Sequence, residues 1–352
     1  MDKQSASDTS VSRLNDQRRA LTEWAGAIAG DIRQQEPMSL HTTFQIGGPA
    51  DWFYEPSNET QFNQIMVACK ACGIPVTVIG RGSNLLVSDR GIRGMVVALG
   101  KNYSRISEYS ASQLSQSPWF DELGRDGLRG DVYYLYAEAG ALLSDLSNYA
   151  ARNDWTGLEF ACGIPGTTGG AVYMNAGAYG SSMSDVVIAT RYFDESSQVK
   201  TLVGAAHEFD YRHSLFRRSD ALILGTLVML QRGDHALITQ LMDDYNSRRA
   251  STQPLEFPCA GSIFKRPPGH YTGKLITDSG LKGKRIGDAM VSEKHAGFIV
   301  NDGAATARDV ISLIREIQQT IYERYEVHLE TELRLVGEYT EEELSVSQPR
   351  EP

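Results

Sequence analysis

ACGIPGTTGGAVYMNAGAYG, running from Ala161 to Gly180, places six glycines in twenty residues yet also carries Ile164, Val172, Tyr173 and Met174. A flexible linker is rich in glycine and serine and does not hold large apolar side chains at this density. A core helix or strand does not accept so much glycine, because each one costs roughly 0.5–1 kcal/mol relative to alanine. The stretch therefore reads as backbone that something approaches too closely for side chains. A second turn of this kind, GRGSN at Gly80–Asn84, lies upstream. Neither turn is followed by the Lys-Ser/Thr pair of a phosphate loop. Neither is a dinucleotide fingerprint, since GRGSNL has leucine at the third glycine position and GIPGTTGG lacks the acidic residue further on. Both offer backbone N–H groups with no Cβ in the way, which suits a pyrophosphate. Either turn alone is also what a tight loop looks like. Together, with NAGAYG behind the second, they point to a large phosphate-bearing cofactor clasped from two sides.

The chain around them has 352 residues, long enough for two or three domains. A net charge of −10 argues against a general nucleic-acid binder and against an anionic membrane surface. The longest apolar run, ALILGTLVML at Ala221–Leu230, falls far short of the roughly 20 residues of a membrane helix. The first twenty residues are polar and resemble no secretory leader, and four cysteines make no disulfide framework, so a cytoplasmic location is expected. Cys69 and Cys72 form a CxxC, but Phe62, Ile65, Met66 and Cys69 recur at helical spacing, which makes Cys69 a small core residue. No second Cys or His pair completes a zinc site, and no metal is expected.

Along the chain, SLHTTFQIGGPADWFYEP reads as short strands about a turn. IPVTVIGRGSNLLVSDRGIRGMVVAL reads as strand, tight turn, short apolar run, turn and strand. The stretch 103–131 is polar and aperiodic and is expected to be an inserted surface loop. ALITQLMDDYNSRRAST and TARDVISLIREIQQTIYERYEV read as helices, the second with a stripe of Val310, Leu313, Ile314, Ile317 and Ile321 and a cap at Thr306. VHLETELRLVG alternates as a strand should, with Glu330, Glu332 and Arg334 on one face. Such a face is commonly just solvated; it can also line a site, and spacing alone does not decide.

Seven motifs then stand in one order: HTTFQIGGPADW, GRGSNLLVSD, GLEFACGIPGTTGGAVYMNAGAYG, YRHSLFRR, AGSIFKRP, GLKGKRIGDAMVSEKHAGFIVN and ETELRLVG. In this order they resemble the UDP-N-acetylenolpyruvoylglucosamine reductase family (UDP-N-acetylmuramate dehydrogenases, the MurB family), flavoenzymes of bacterial peptidoglycan precursor synthesis. The resemblance runs from about His41 to Gly337. It implies an α+β chain in which a two-subdomain FAD-binding fold of the PCMH/VAO type precedes a smaller α+β substrate-binding domain. The expected boundaries are a flexible N-terminal extension at 1–36, the first FAD-binding subdomain at 37–102, the second at 103–232, the substrate-binding domain at 233–338 and a flexible acidic tail at 339–352.

The resemblance also implies FAD and NADPH as cofactors, UDP-N-acetylglucosamine enolpyruvate as substrate, and no obligate protein partner. FAD is expected against Gly80, Arg81, Gly82, Ser83, Asn84, Leu85 and Leu86, against Gly163, Ile164, Pro165, Gly166, Thr167, Gly169 and Gly170, and near Asn175, Ala176 and Gly177. Glycine in these turns is then a packing requirement set by the cofactor. Arg212 in YRHS matches the arginine that binds the substrate carboxylate. Ser262 in AGSIFK matches the proton donor. Glu332 in ETELR matches the carboxylate that helps stabilise the intermediate, with Glu330 as its neighbouring competitor. Lys265, Arg266 and Lys294 are expected near the substrate diphosphate, although family members often have asparagine where Arg266 stands. The segment 103–131 and the N-terminal extension fit no part of the pattern.

The implied chemistry agrees with these residue types. Hydride addition to an enolpyruvyl ether drives negative charge onto its carboxylate, and a fixed guanidinium stabilises charge where it develops. A glutamate beside it helps only if it is protonated or shares a proton. An oxidase on the same flavin-binding fold is the second enzymatic reading. A silent nucleotide-sugar sensor is the non-enzymatic one, disfavoured by the presence of Arg212, Ser262 and Glu332 together.

Overall fold

Strands β1 (Arg33–Pro37), β2 (Pro49–Tyr54), β3 (Val76–Ile79), β4 (Leu85–Val87) and β5 (Ile92–Ala98), with helix α1 (Glu59–Ala71), form the first unit of the structure, a computed structural model that describes residues 30–117 and 132–347. β2 and β5 are apolar almost throughout, as suits strands covered on both faces, and they pair in parallel inside a sheet ordered β1-β2-β5-β3. α1 buries Phe62, Ile65, Ala68 and Cys69, and the Asn58 side chain caps it by accepting from Gln61 N at 2.9 Å. Cys69 is fully buried and its thiol is pushed up to about 12, by burial first and by Cys72 second. It is a core residue, as its spacing indicates.

The second unit holds β6 (Ile106–Tyr109), α2 (Ala111–Ser115), β7 (Tyr133–Glu138), α3 (Leu143–Arg152), β8 (Trp155–Thr156), α4 (Thr168–Tyr173), the hairpin of β9 (Gly177–Ala178) and β10 (Ser181–Ser182), then β11 (Val187–Phe193), β12 (Val199–Val203) and β13 (Leu222–Arg232). Its sheet is antiparallel in the order β12-β11-β13-β7-β6, and the apolar run at Ala221–Leu230 is its buried central strand. The two sheets share one core, in which Trp52, Phe62 and Tyr103 meet Leu135, Leu143 and Phe193. Arg191 on β11 reinforces the junction by gripping Glu59, at the start of α1, through two hydrogen bonds of 2.9 and 3.1 Å.

Beyond β13 come α5 (His235–Thr252), β14 (Cys259–Ser262), α6 (Thr272–Asp278), β15 (Arg285–Ile286), β16 (Ala289–Val291), β17 (Phe298–Asn301), α7 (Ala307–Tyr325), β18 (Arg334–Val336) and α8 (Glu341–Leu344). The antiparallel sheet β14-β17-β16-β15 packs beneath α7, whose buried residues include the whole stripe named above. Thr306 caps α7 in a capping box with Asp309. Asp89, from the first unit, adds a carboxylate at the same helix end, accepting from Ala307 N at 2.8 Å and Arg308 N at 3.1 Å. β18 lies parallel to β4, so the end of the chain is stitched directly to the strand leaving GRGSN. The α+β class is borne out.

Several boundaries differ from expectation, each for a packing reason. Arg33–Pro37, mostly inside the expected extension, is a strand because β2 offers it an edge; residues 1–29 lie outside the described residues. The expected surface loop begins with buried Tyr103, then β6 on the edge of the second sheet and α2 with Leu114 inside; residues 118–131 lie outside the described residues. α5 does not join the third core. It packs on α3, β8 and the turn Glu159–Ala161 of the second unit. The third core instead recruits Phe44, Ile46 and Leu86 from the first unit. The expected tail folds as well: Val346 is buried, with Gln318 Nε2 donating to its carbonyl at 2.9 Å, while residues 348–352 lie outside the described residues. In VHLETELRLVG only Arg334–Val336 pairs as a strand, because only there does β4 run alongside.

Candidate active site

Two cavities meet at three side chains. The larger, of about 1740 Å³, runs between the two FAD-type subdomains and the third unit. The smaller, of about 540 Å³, opens on the third unit. Arg212, Ser262 and Glu332 line both. A shared wall lets the same three side chains face both cavities.

The larger cavity is floored by the two glycine turns. Gly80 has Thr167 against it, and a Cβ there would collide with Thr167 Oγ1. Gly82 lies in the left-handed region at φ +66 and backs onto the His41 carbonyl. A Cβ on Gly169 would sit 2.7 Å from Ala139 Cβ. These three glycines are thus required by the chain's own packing, which corrects the expectation that the cofactor alone excludes side chains. Gly166 and Gly170 differ. A Cβ at Gly166 would meet only Ser83 Oγ at 3.3 Å, and one at Gly170 only Thr167 Oγ1 at 3.6 Å. Both face the cavity, where a side chain would take up space that the fold itself leaves open. α4 begins here, with the Thr167 side chain accepting from Gly170 N, so the cavity meets a helix start as well as a turn. Backbone bare of side chains at Gly166 and Gly170 leaves room for a diphosphate.

Arg212 stands on a tight turn in which Asp210 and His213 exchange both backbone hydrogen bonds at 3.1 Å. Its φ of 53 is left-handed, a strained state for a non-glycine residue that the surroundings must hold. They do so through Asn175 Nδ2, which donates to the Asp210 carbonyl at 3.0 Å, and Arg217, which donates to the Arg212 carbonyl at 2.7 Å. Arg212 Nε then donates to Glu332 Oε1 at 2.6 Å. Glu332 is anchored beside Ser262: its N–H donates to the Ile263 carbonyl at 2.8 Å and its own carbonyl accepts from Asn84 Nδ2 at 3.1 Å. Burial raises the Glu332 carboxyl above its ordinary range, while Arg212, Lys265 and Arg217 pull it back. Desolvation wins, leaving a carboxyl able to hold a proton within reach of a guanidinium.

The smaller cavity is cationic. Arg266, Lys274, Lys282 and Lys294 line it with His295, Tyr271 and Tyr211. The Arg266 guanidinium lies 3.9 Å over the Tyr271 ring. Lys274 pairs with Asp278 at 2.6 Å, and Lys294 reaches Glu256 only at 3.6 Å. Burial first, and Lys282 with it, lowers the pKa of His295, which favours the neutral ring.

Most residues expected at the cofactor do line the larger cavity: Gly80 to Leu85, Gly163 to Thr167, Gly169, Gly170, Ala176 and Gly177. Leu86 does not, because it is fully buried in the third core. Asn175 does not either; its amide holds the Arg212 turn and accepts from Ser184 N at 3.0 Å. Lys265 lines neither cavity, because Glu330 captures its ammonium. Glu330 is thereby accounted for, and Glu332 is the carboxyl at the junction. Arg334, on the face of VHLETELRLVG that could line a site, stacks 4.6 Å over Tyr173 on the larger cavity, and Lys282 lines the smaller one beside Tyr271 and His295, to which the sequence reading assigns no role. Among the described residues no cluster of His, Cys, Asp or Glu could hold a metal ion, and no helix is long and apolar enough to cross a membrane.

Comparison with known proteins adds an independent line. Residues 50–202 match the family model of an FAD binding domain, and residues 253–336 match that of the UDP-N-acetylenolpyruvoylglucosamine reductase C-terminal domain. The chain is 43% identical over 308 residues to the UDP-N-acetylenolpyruvoylglucosamine reductase of Agathobacter rectalis, covering 88% of this chain and 95% of that one. It is 43% identical over 307 residues to the reductase of the same name from Clostridium perfringens, covering 87% and 93%. Among solved structures, UDP-N-acetylenolpyruvylglucosamine reductase (MurB) from Thermus caldophilus superposes with a TM-score of 0.69 at 31% identity, covering 87% of this chain and 98% of that one.

Proposed function

Since the chain belongs to the UDP-N-acetylenolpyruvoylglucosamine reductase family, and is thus an FAD-dependent oxidoreductase of peptidoglycan precursor synthesis, we propose that it reduces UDP-N-acetylglucosamine enolpyruvate to UDP-N-acetylmuramate with NADPH as reductant. The observation that carries the reading is the meeting of two cavities, one floored by glycine turns and one lined by cations, at Arg212, Ser262 and Glu332. FAD bound on the turns around Gly166 and Gly170 supplies the hydride chemistry.

The chain's own residues do the rest. Arg212 binds the enolpyruvyl carboxylate and stabilises the charge that hydride addition at C3 drives onto it. Its left-handed turn and the Glu332 contact fix the guanidinium before substrate arrives, so little reorganisation remains at the moment of reaction. In its protonated form, which burial favours, Glu332 shares a proton with the developing oxyanion instead of opposing it. Ser262 gives a proton to C2, completing the saturated lactyl ether. A serine hydroxyl is a weak acid, so the neighbouring positive charge on Arg212 assists it. Arg266, Lys282 and Lys294 receive the UDP diphosphate in the smaller cavity, Arg266 held in place by Tyr271.

An anaerobic spectrum tests the proposal. NADPH should bleach the yellow flavin, and enolpyruvyl substrate should restore it without oxygen. Restoration only on admitting oxygen would make the protein an oxidase. A protein that stays colourless after reconstitution with FAD would be a sensor.

A further inference from the structure

We infer that Arg249 is a further cofactor-binding residue, donating from α5 to an electron-rich oxygen of FAD. The inference rests on FAD as the occupant of the larger cavity. Arg249 lies in the last turn of α5 and lines that cavity. Its Nε is buried without a hydrogen-bond partner, and its Nη1 reaches only Gln253 Oε1, at a long 3.3 Å. A guanidinium carries five donors and a full charge, so leaving it partly hidden with so little to bind is costly. The fold tolerates this where a ligand completes the set.

The position is built. A Cβ on Gly163 would stand 2.7 Å from Arg249 Nε and 3.1 Å from its Cδ, so the side chain lies against bare backbone at the start of the second glycine turn. Gly163 is outside the left-handed region, and its lack of a side chain serves this approach rather than a backbone conformation. The helix is also pinned to the far wall. Tyr179, at the tip of the β9–β10 hairpin, stacks on Tyr245 with centroids 4.1 Å apart, and its hydroxyl donates to the Tyr245 carbonyl at 2.9 Å. Gly177 and Ala178 of the hairpin line the same cavity as Asn246 and Arg249 of the helix. A basic residue in a last turn also complements the helix dipole, but that role does not call for a buried, unpartnered Nε against a glycine turn.

The most electron-rich oxygens of FAD are those of its diphosphate and its ring carbonyls, and the test separates them. Arg249→Met keeps the apolar stem and removes the donors; Arg249→Lys keeps the charge. In the full chain, FAD affinity should fall about 10–100-fold in the methionine variant and recover in part with lysine, while melting without flavin stays near the parent. Gly163→Ala, which pushes a methyl group onto Arg249, should weaken FAD in the same direction by less. If riboflavin, which has no phosphate, binds the methionine variant like the parent, the contact is to the diphosphate. If riboflavin weakens equally and the flavin potential turns more negative, the contact is to a ring carbonyl. Parent-like FAD affinity in Arg249→Met overturns the inference, as does a fall in flavin-free melting with no separate loss of FAD affinity. A parent protein that binds no FAD would sink the premise instead.

Discussion

At Gly166 and Gly170 the larger cavity presents bare backbone; at Arg266, Lys282 and Lys294 the smaller one presents long charged side chains. Under the proposed function both receive a diphosphate. The contrast matches how long each ligand stays. A backbone wall is already fixed, loses no side-chain freedom on binding and suits a resident cofactor. Flexible cations attract a ligand from a distance, yield to salt and suit a substrate that must leave. An overall charge of −10 makes this local patch the more necessary for an anionic substrate.

The largest effect should come from filling the backbone cradle. Gly166→Val places a branched side chain in space that only Ser83 Oγ borders, so the fold survives and FAD is excluded. The variant should purify without flavin, melt near the flavin-free parent and show no turnover. Full flavin content would end the claim that this turn holds the cofactor. Gly169→Val is a poorer probe, because it also strikes Ala139.

Next comes the shared wall. Arg212→Lys keeps the charge but loses the planar fork that grips a carboxylate at two points. Turnover should drop about 10²–10³-fold, with bleaching by NADPH much less affected. Parent-like turnover would remove Arg212 from the substrate carboxylate.

A smaller effect is expected in the cationic cavity. Arg266→Ala combined with Lys282→Ala should raise the KM for the nucleotide-sugar about tenfold or more, flatten its salt dependence and leave FAD content unchanged. An unaltered KM would show that these cations are surface charge only.

The smallest is a pH effect. The Glu332 pKa is raised, so its protonated form is present below that pKa and is lost as pH rises through it. Reoxidation by substrate should slow across that rise, and Glu332→Gln, which keeps a donor but cannot titrate, should abolish that limb of the profile. An identical limb in the glutamine variant would assign it to another group.

How much of this was legible in the sequence also divides along the two cavities. Glycine is a strong signal because few structural needs call for six in twenty residues, so the backbone cradle could be read directly. Which glycines face the ligand could not, since Gly80 and Gly169 answer to Thr167 and Ala139, neighbours that only the fold supplies. Arg212, Ser262 and Glu332 came from motif resemblance, not from spacing, because they lie on three segments joined by tertiary contacts. Lys265 looked like Lys294 in the sequence; the difference is Glu330, which captures one of them. Domain edges were the least legible. The end of the chain and α5 are held by surfaces formed well away in sequence, and no local pattern announces such docking.

If Arg212, Ser262 and Glu332 join the cavity proposed for FAD to the one proposed for the substrate, Ser262→Ala should separate the two half-reactions. Alanine is close in volume to serine and fits the same strand end, so folding and flavin content should hold. Rapid mixing of this variant with NADPH, and then with enolpyruvyl substrate, measures the two halves apart. Bleaching should be near normal and reoxidation slowed by about 10²–10⁴-fold, the usual cost of losing a positioned proton donor. Equal slowing of both halves, or reoxidation at the parent rate, would contradict that arrangement.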